Sequence, residues 1–560
     1  MRSGDLGMLG RQTVHEFAAL VREPVILILS VGFPLVFFLL ILGVTGNPVI
    51  DDSRDLRMVQ FLAPGMAGFG VAMATFSFLA VGLAEARAHL ILKRQTSNPV
   101  PPWVLIGGRI AAALMLAAVA MVLVLAAGAA FHGLQVPAGG LLTLVVGLAF
   151  GAVSFAALGL MLALALPSPQ LTLAVTNGIV IPLAFISDMF FVGGEMPELL
   201  SRAGSFFPLK HVVQVLSAAL DPSPGGGGIP WASLGVLALW GAAAAGVAGW
   251  LMTRGEGAWR SAATGPEPVR RNGSPADVQQ RHPGRPTVPV LLGHQIGHTA
   301  ATQWRDAGSV FFAVAFPVLL VVIIPMVNGG GDLRLDSGAT LGLFYAATMA
   351  IYGAAVTAYV NVPQVMAEDR EKGVLKRVRA TPLPLWLLVL GRVIGALFVA
   401  VLTLLVIAAG TAALYRPGLP TGWPMALLVL VVSAIAFCVI GLAVASIART
   451  AQSAIGMSIG TLLPLCFVSD IFVIGAKFPT WLDTISWVFP LRHASRAMTD
   501  AVTPGVELWP STGLHLLVLL AWTIGAALLL SRTFRTEPGG RPTAAEHATE
   551  PSGIRQKVVA

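Results

Sequence analysis

The run Glu368-Asp369-Arg370-Glu371-Lys372-Gly373-Val374-Leu375-Lys376-Arg377-Val378-Arg379-Ala380-Thr381-Pro382-Leu383-Pro384 decides how this chain folds. It is the densest charge in a sequence that is otherwise mostly apolar, and an apolar stretch flanks it on each side. A charge at the bilayer centre costs at least about 2.5–3.5 kcal/mol on insertion scales. The run is therefore expected at a membrane surface. Its excess of Lys and Arg assigns it to the cytoplasmic surface.

A weaker copy lies earlier in the chain, over Glu85 to Pro101. One constant offset places Glu85 under Glu368, Arg87 under Arg370 and Lys93-Arg94 under Lys376-Arg377. Pro99, Pro101, Trp103 and Arg109 then match Pro382, Pro384, Trp386 and Arg392. Arg22 pairs with Arg305, and Phe33-Pro34 with Phe316-Pro317. After a one-residue slip, Ser187-Asp188-Met189-Phe190 pairs with Ser469-Asp470-Ile471-Phe472, and Phe207-Pro208-Leu209-Lys210-His211 with Phe489-Pro490-Leu491-Arg492-His493. The chain is an internal duplication whose period is far too long for a solenoid.

Apolar residues make up 56% of the chain and charged residues 11%. Soluble domains carry about 25% charge, so this is an integral membrane protein. The net charge of +8 does not imply nucleic acid, because the cations sit in loops between spans. Arg outnumbers Lys, which points to a GC-rich bacterial genome, so a bacterial inner membrane is expected. Cys438 and Cys466 both lie in apolar runs, with neither metal spacing nor a disulfide framework. No cleavable signal peptide is evident, since Asp5, Arg11, His15, Glu16, Arg22 and Glu23 interrupt the first residues.

Each half reads as a surface helix and six spans of near bilayer length. Residues 1–23 place Leu6, Leu9, Val14, Phe17 and Leu20 near one face, the pattern of an interfacial helix. Spans are expected at about 25–46, 60–84, 104–131, 139–166, 171–194 and 231–252, with a kink at Pro34. Residues 195–230 are too polar to span, and short helices dipping back from the outer side are expected there. The second half repeats this with a surface helix at 289–308 and spans at about 309–327, 339–366, 386–414, 423–447, 453–475 and 512–531. The division is 1–252, first repeat; 253–288, flexible cytoplasmic linker; 289–532, second repeat; 533–560, disordered cytoplasmic tail.

With both termini inside, only Arg54, Arg57, Arg202, Lys210, Arg334, Arg416, Lys477, Arg492 and Arg496 of the 35 Lys and Arg fall outside. That bias supports cytoplasmic termini. Six spans per half is an even number, so the repeats are parallel.

The chain has no Gly-x-x-x-x-Gly-Lys-Ser/Thr phosphate loop and no Gly-Lys pair at all, so it has no ATP site of its own. It is expected to be no enzyme and to bind no cofactor. The spans lack the buried ionisable residue that an ion-coupled carrier uses. Asp188 and Asp470, near the outer ends of the fifth spans, read either as a gate or anchor facing Lys210-His211 and Arg492-His493, or as caps of the re-entrant turn. The charged run reads either as a solvated loop obeying the positive-inside rule or as a short helix, Glu368 to Arg379, that docks in a groove on a soluble partner. The acids favour docking, because the positive-inside rule needs none.

Glu-x-Arg-Glu-x-Gly-x-Leu-x-x-x-Arg-x-Thr-Pro after a second span resembles the signature of type-2 ABC exporter permeases. It stands here as Glu368, Arg370, Glu371, Gly373, Leu375, Arg379, Thr381 and Pro382. The Phe-Pro-Leu-Arg/Lys-His segments and the surface helices are similar to that family too. The resemblance implies an all-α fold of two tandem six-helix repeats, about 12 spans, resembling bacterial antibiotic and multidrug exporter permeases. It implies that the run is a coupling helix docking on a separate ATPase, two copies of which bind ATP and magnesium. Glu85, Arg87 and Lys93 would couple in the first half, and Glu368, Arg370, Glu371, Gly373, Leu375, Lys376 and Arg379 in the second. Ala88 and Leu90 stand in place of Glu371 and Gly373, so the second half is expected to grip harder. The cargo implied is an amphipathic drug, antibiotic or lipid-like molecule. Phe69, Phe76, Phe78, Phe344, Tyr345, Tyr352 and Tyr359 are candidates to line its path, or else pack helices. The rivals are a twelve-span proton-coupled antiporter and a non-transporting scaffold that binds an ATPase.

Overall fold

The computed structural model describes residues 3–88, 101–189, 198–223, 227–261, 307–328, 330–335, 337–379, 385–416, 420–472, 478–506 and 511–533, with residues 290, 293, 297, 301 and 509 between them. Among these, 12 helices are long and apolar enough to cross a membrane. In the first half they are Pro24–Thr45, Met58–Ala88, Trp103–His132, Gly140–Ala165, Pro169–Ile186 and Trp231–Arg254, here spans 1 to 6. In the second they are Gly308–Met326, Leu341–Glu371, Trp386–Tyr415, Trp423–Ile447, Ala451–Val468 and Ser511–Thr533, spans 7 to 12. The chain is thus an all-α polytopic membrane protein of two repeats. Its described strands are a hairpin of β1 (Val49–Asp51) and β2 (Leu56–Arg57) after span 1. Of the linker expected at 253–288, residues 253–261 instead continue the helix of span 6 to Ser261, and the remainder, most of the expected surface helix at 289–308 and the tail from 534 lie outside the described residues.

Burial sorts the spans. The most apolar windows of spans 2 and 8 are 89% and 94% buried, against 22% for span 1 and 11% for span 12. Spans 2 and 8 therefore form the centre of each bundle, and the others face lipid on one side. Their small residues let neighbours approach closely, as membrane helix packing requires. A Cβ on Gly70 would stand 2.8 Å from the Ser30 carbonyl oxygen, and one on Gly353 2.8 Å from that of Ala313.

Those two carbonyls have a common origin. Pro34 and Pro317 cannot donate to the residue four positions back, which is Ser30 or Ala313. Each proline follows a wider π-turn, Ile28–Gly32 or Phe311–Ala315, the usual way a helix absorbs such a kink. The proline expected to kink span 1 thus leaves a carbonyl without its helical donor, and span 2 or 8 fits against that carbonyl. In the second half the Thr403 hydroxyl, shared with the Val399 carbonyl, also reaches Ala313 O at 3.3 Å.

Spans 5 and 11 are shorter than hydropathy predicts. They end at Ile186 and Val468, not near 194 and 475. Asp188 and Asp470 then adopt left-handed backbone, φ 59° and 57°, which stops a right-handed helix. Short helices follow in both halves, Glu198–Gly204 and Pro208–Ala219, then Thr480–Ser486 and Pro490–Val502. The short helices expected between the fifth and sixth spans of each half are thus present. The surface helix Ser3–Arg22 also forms. Phe17 and Leu20 pack on the first bundle, while Leu6 and Val14 stay exposed.

Candidate functional site: the interface cavity and the charged elements beneath it

The halves meet around a cavity of about 500 Å³. Spans 1, 2 and 5 border it on one side, and spans 7, 8 and 11 on the other. Its aromatic lining crosses the interface. Phe467 lies 6.1 Å from Phe33 and 4.8 Å from Phe37, while Tyr352 lies 5.4 Å from Phe316 and 5.5 Å from Phe472.

Of the aromatics expected on the path, Phe69, Tyr345 and Tyr352 border the cavity. Phe76 and Phe78 do not; both are buried in the first bundle, Phe76 at 6.0 Å from Phe155. The reason is a π-turn over Met73–Phe78, whose extra residue per turn rotates the helix beyond Met73 off the cavity face. A matching turn, Val356–Asn361, lies beyond Tyr352; Tyr359 within it bonds Thr461 Oγ1 at 2.7 Å. Phe33, Phe37, Phe467 and Phe472 also line the cavity. Sequence reasoning does not assign them to it, although the repeated Phe-Pro and Ser-Asp segments point at two of them. Asn177, the amide of span 5, borders it as well.

Span 8 runs from this cavity into the charged run. The run is not one helix from Glu368 to Arg379. Span 8 continues to Glu371, Gly373 takes φ +66°, and a second helix, Val374–Arg379, begins. Only a residue tolerating left-handed backbone suits that break. Leu375 is 1% exposed and anchors the short helix in the core. Lys372, Lys376 and Arg377 are exposed. Glu368 pairs with Lys372 at 2.9 Å, which raises the Lys372 pKa. The Arg379 side chain, Lys93, Thr381 and Pro382 lie outside the described residues.

Arg370 faces the bundle, not a partner. It is buried and donates to the carbonyls of Ala445, at 3.0 Å, and Ala448. These belong to the end of span 10, where last-turn carbonyls have no helical partner and a cation is favoured. Arg87 does the same for Leu164, at 3.1 Å, and Leu166 at the end of span 4. Glu85 is exposed nearby.

Glu371 accepts the backbone N–H of Ala451, the first residue of span 11, at 3.1 Å. The matching first residue of span 5 is Pro169, which has no N–H. The first half thus lacks both the donor and the acid, since Ala88 stands where Glu371 would. The Glu371/Ala88 difference is accounted for within the bundle and needs no unequal grip on a partner. The arginine early in the next span shows a similar exchange. Arg392 pairs with Asp369 at the end of span 8, and Arg109 pairs with Glu16 of the surface helix at 3.2 Å.

On the opposite face, Asp188 pairs with Lys210 at 3.1 Å. Asp470 pairs with Arg496 at 2.6 Å, while Arg492 holds Asp483 at 2.6 Å and the Val468 carbonyl at 2.8 Å. Burial pushes the Asp470 carboxyl up, against the pull of Arg496 and Arg492. Neither aspartate pairs with the histidines. His211 bonds the Ser205 carbonyl at 2.9 Å, and His493 the Trp487 carbonyl at 2.7 Å and His515 at 2.8 Å. These groups tie the short helices to the ends of spans 5, 11 and 12.

Gly456-Met457-Ser458-Ile459-Gly460 has the Gly-x-Ser-x-Gly spacing of hydrolase nucleophiles, which need a strained strand-to-helix turn. Here it lies inside span 11 with Ser458 fully buried, so it is helix packing.

An ABC-2 type transporter family model matches residues 297–502, and an ABC-2 family transporter protein model matches 44–252. The probable multidrug ABC transporter permease YbhR of Escherichia coli (strain K12) is 28% identical over 177 residues, 30% of this chain and 46% of that protein. The protein of the same name from Escherichia coli O157:H7 aligns with the same figures. The chain thus spans about half the length of the curated relatives it matches. One family match in each half, over spans 2 to 6 and spans 7 to 11, makes this chain a two-repeat membrane permease of the ABC-2 type transporter family.

Proposed function

We propose that the chain is the transport subunit of an ATP-driven exporter and moves amphipathic drugs, antibiotics or lipid-like molecules out of a bacterial cell. It sits in the inner membrane with its termini and charged elements in the cytoplasm, where two copies of a separately encoded ATPase carry ATP and magnesium. One observation carries this reading: span 8 borders the cavity at Tyr345 and Tyr352 and continues without interruption to the charged element at Glu371. Arg370 and Leu375 pin that element to the bundle. Force applied to Lys372, Lys376 and Arg377 therefore reaches the cavity wall through packed protein. The E. coli relative's printed name, a multidrug ABC transporter permease, supports the same assignment.

Mild extraction of the protein should bring down a phosphate-loop ATPase. The double change Lys376→Glu, Arg377→Glu should lower that recovery roughly tenfold, since like charges across an interface are strongly disfavoured. It should leave the unfolding temperature unchanged, because both residues are exposed. Recovery of no ATPase with either protein would count against the assignment and favour the antiporter.

A further inference from the structure

We propose that Asn177 is the polar recognition point of the cavity, and that the cargo is a neutral molecule with an apolar body and an amide-type edge, an N–H donor beside a carbonyl acceptor. This rests on the exporter reading, because it names the cargo of the same cavity.

Asn177 lies on span 5, borders the cavity and is 1% exposed. Neither its Oδ1 nor its Nδ2 has a hydrogen-bond partner in the protein. Buried polar side chains nearly always have one. The matching position of the duplicated span 11 is Ile459, so packing in this fold does not call for an amide there. The amide is an addition to one half only.

The other half contributes one amide at the cavity border, Asn328, whose Nδ2 already donates to the Ile324 carbonyl at 2.8 Å, and two phenols. Tyr345 and Tyr352 border the cavity, and their counterparts in span 2 are Leu62 and Phe69. The two sides of the cavity are therefore unlike, which favours one orientation of a bound molecule. Among the described residues, no Asp, Glu, Lys, Arg or His borders it, so an ion would be desolvated with no counter-charge. The cargo is therefore neutral in the cavity. A primary amide presents both donors and an acceptor. A single hydroxyl oxygen does not span the amide's acceptor and donor as a planar pair; a primary amide or lactam edge, with N–H and C=O side by side, meets both together. The volume of about 500 Å³ suits a drug-sized molecule.

The test uses the full chain in lipid nanodiscs and two probes, the lactam quinolin-2(1H)-one, whose N–H and carbonyl lie on one edge, and its N-methyl derivative, which lacks the N–H. The variants are Asn177→Ile, which copies the other half, and Leu463→Trp, which fills the cavity. Wild type should bind the N–H probe about tenfold more tightly than the N-methyl probe. Asn177→Ile should bind both alike and unfold at no lower temperature. Leu463→Trp should weaken both. A tenfold preference that survives Asn177→Ile is steric and overturns the proposal. So does a wild type that binds both probes equally or binds neither. If Leu463→Trp leaves binding of both unchanged, the probes sit elsewhere, and the cavity itself fails as the cargo site.

Discussion

Replacing Arg370 with Ala lowers the unfolding temperature of the extracted protein more than any single change among the exposed charges beside it. The guanidinium is buried and holds the Ala445 and Ala448 carbonyls. Each hydrogen bond to a charged group contributes about 1.5–3 kcal/mol, and the freed carbonyls add a desolvation penalty. A loss of about 3–5 kcal/mol is expected, read as a fall of about 3–4 °C by size-exclusion after heating. Arg370→Lys should recover less than half of it, because one ammonium does not reproduce a two-pronged fork. Arg87→Ala is the matched change in the first half and should behave alike. An unfolding temperature for Arg370→Ala equal to wild type would show that span 10 does not depend on this cap.

Arg492→Ala should be comparably damaging at the opposite face, but more locally. The Arg492 side chain is 4% exposed and bonds the Val468 carbonyl, Ser486 Oγ at 2.5 Å and Asp483. It also lies 4.7 Å from the centroid of the Trp487 ring. Removing it leaves Asp483 without this partner and Asp470 with one cation fewer. Breaking such a pair from one side costs about 3–5 kcal/mol. Hydrogen exchange should show lost protection across Thr480–Val502 before the spans themselves open. Arg492→Lys should restore about half, because Lys210 does this work in the first half through Ser201 and Asp188. Equal exchange in wild type and Arg492→Ala would refute the tie.

The spans are legible in the sequence because hydrophobic length is imposed by the bilayer itself, and the duplication because the Arg, Phe-Pro and Ser-Asp signatures recur at nearly fixed offset. Helix ends are less so. Met189 continues the apolar run past Asp188, and only the left-handed backbone at that aspartate ends span 5 near Ile186. The charged run lies at a bundle end, as its composition demands, yet its charges do different jobs. Arg370 turns inward and Glu371 caps span 11, while Lys376 and Arg377 face out. Nothing in a string of charges distinguishes these roles until the partner backbone is known. The cavity lining is half legible. Tyr345 and Tyr352 precede the π-turn of span 8, whereas Phe76 and Phe78 sit within that of span 2, where regular helical periodicity fails. Asn177 escapes a reading by hydropathy, because averaging over a span absorbs a single amide. A search for lone polar side chains within apolar spans is the signal that finds it.

The most direct measurement is transport by the protein purified with its co-extracted ATPase and reconstituted in vesicles. Uptake of an apolar fluorescent dye should require ATP and magnesium, persist when a protonophore collapses the proton gradient, and fall at least about tenfold in Leu463→Trp. Uptake that ignores ATP and vanishes with the proton gradient would contradict an ATP-driven permease and establish the antiporter in its place.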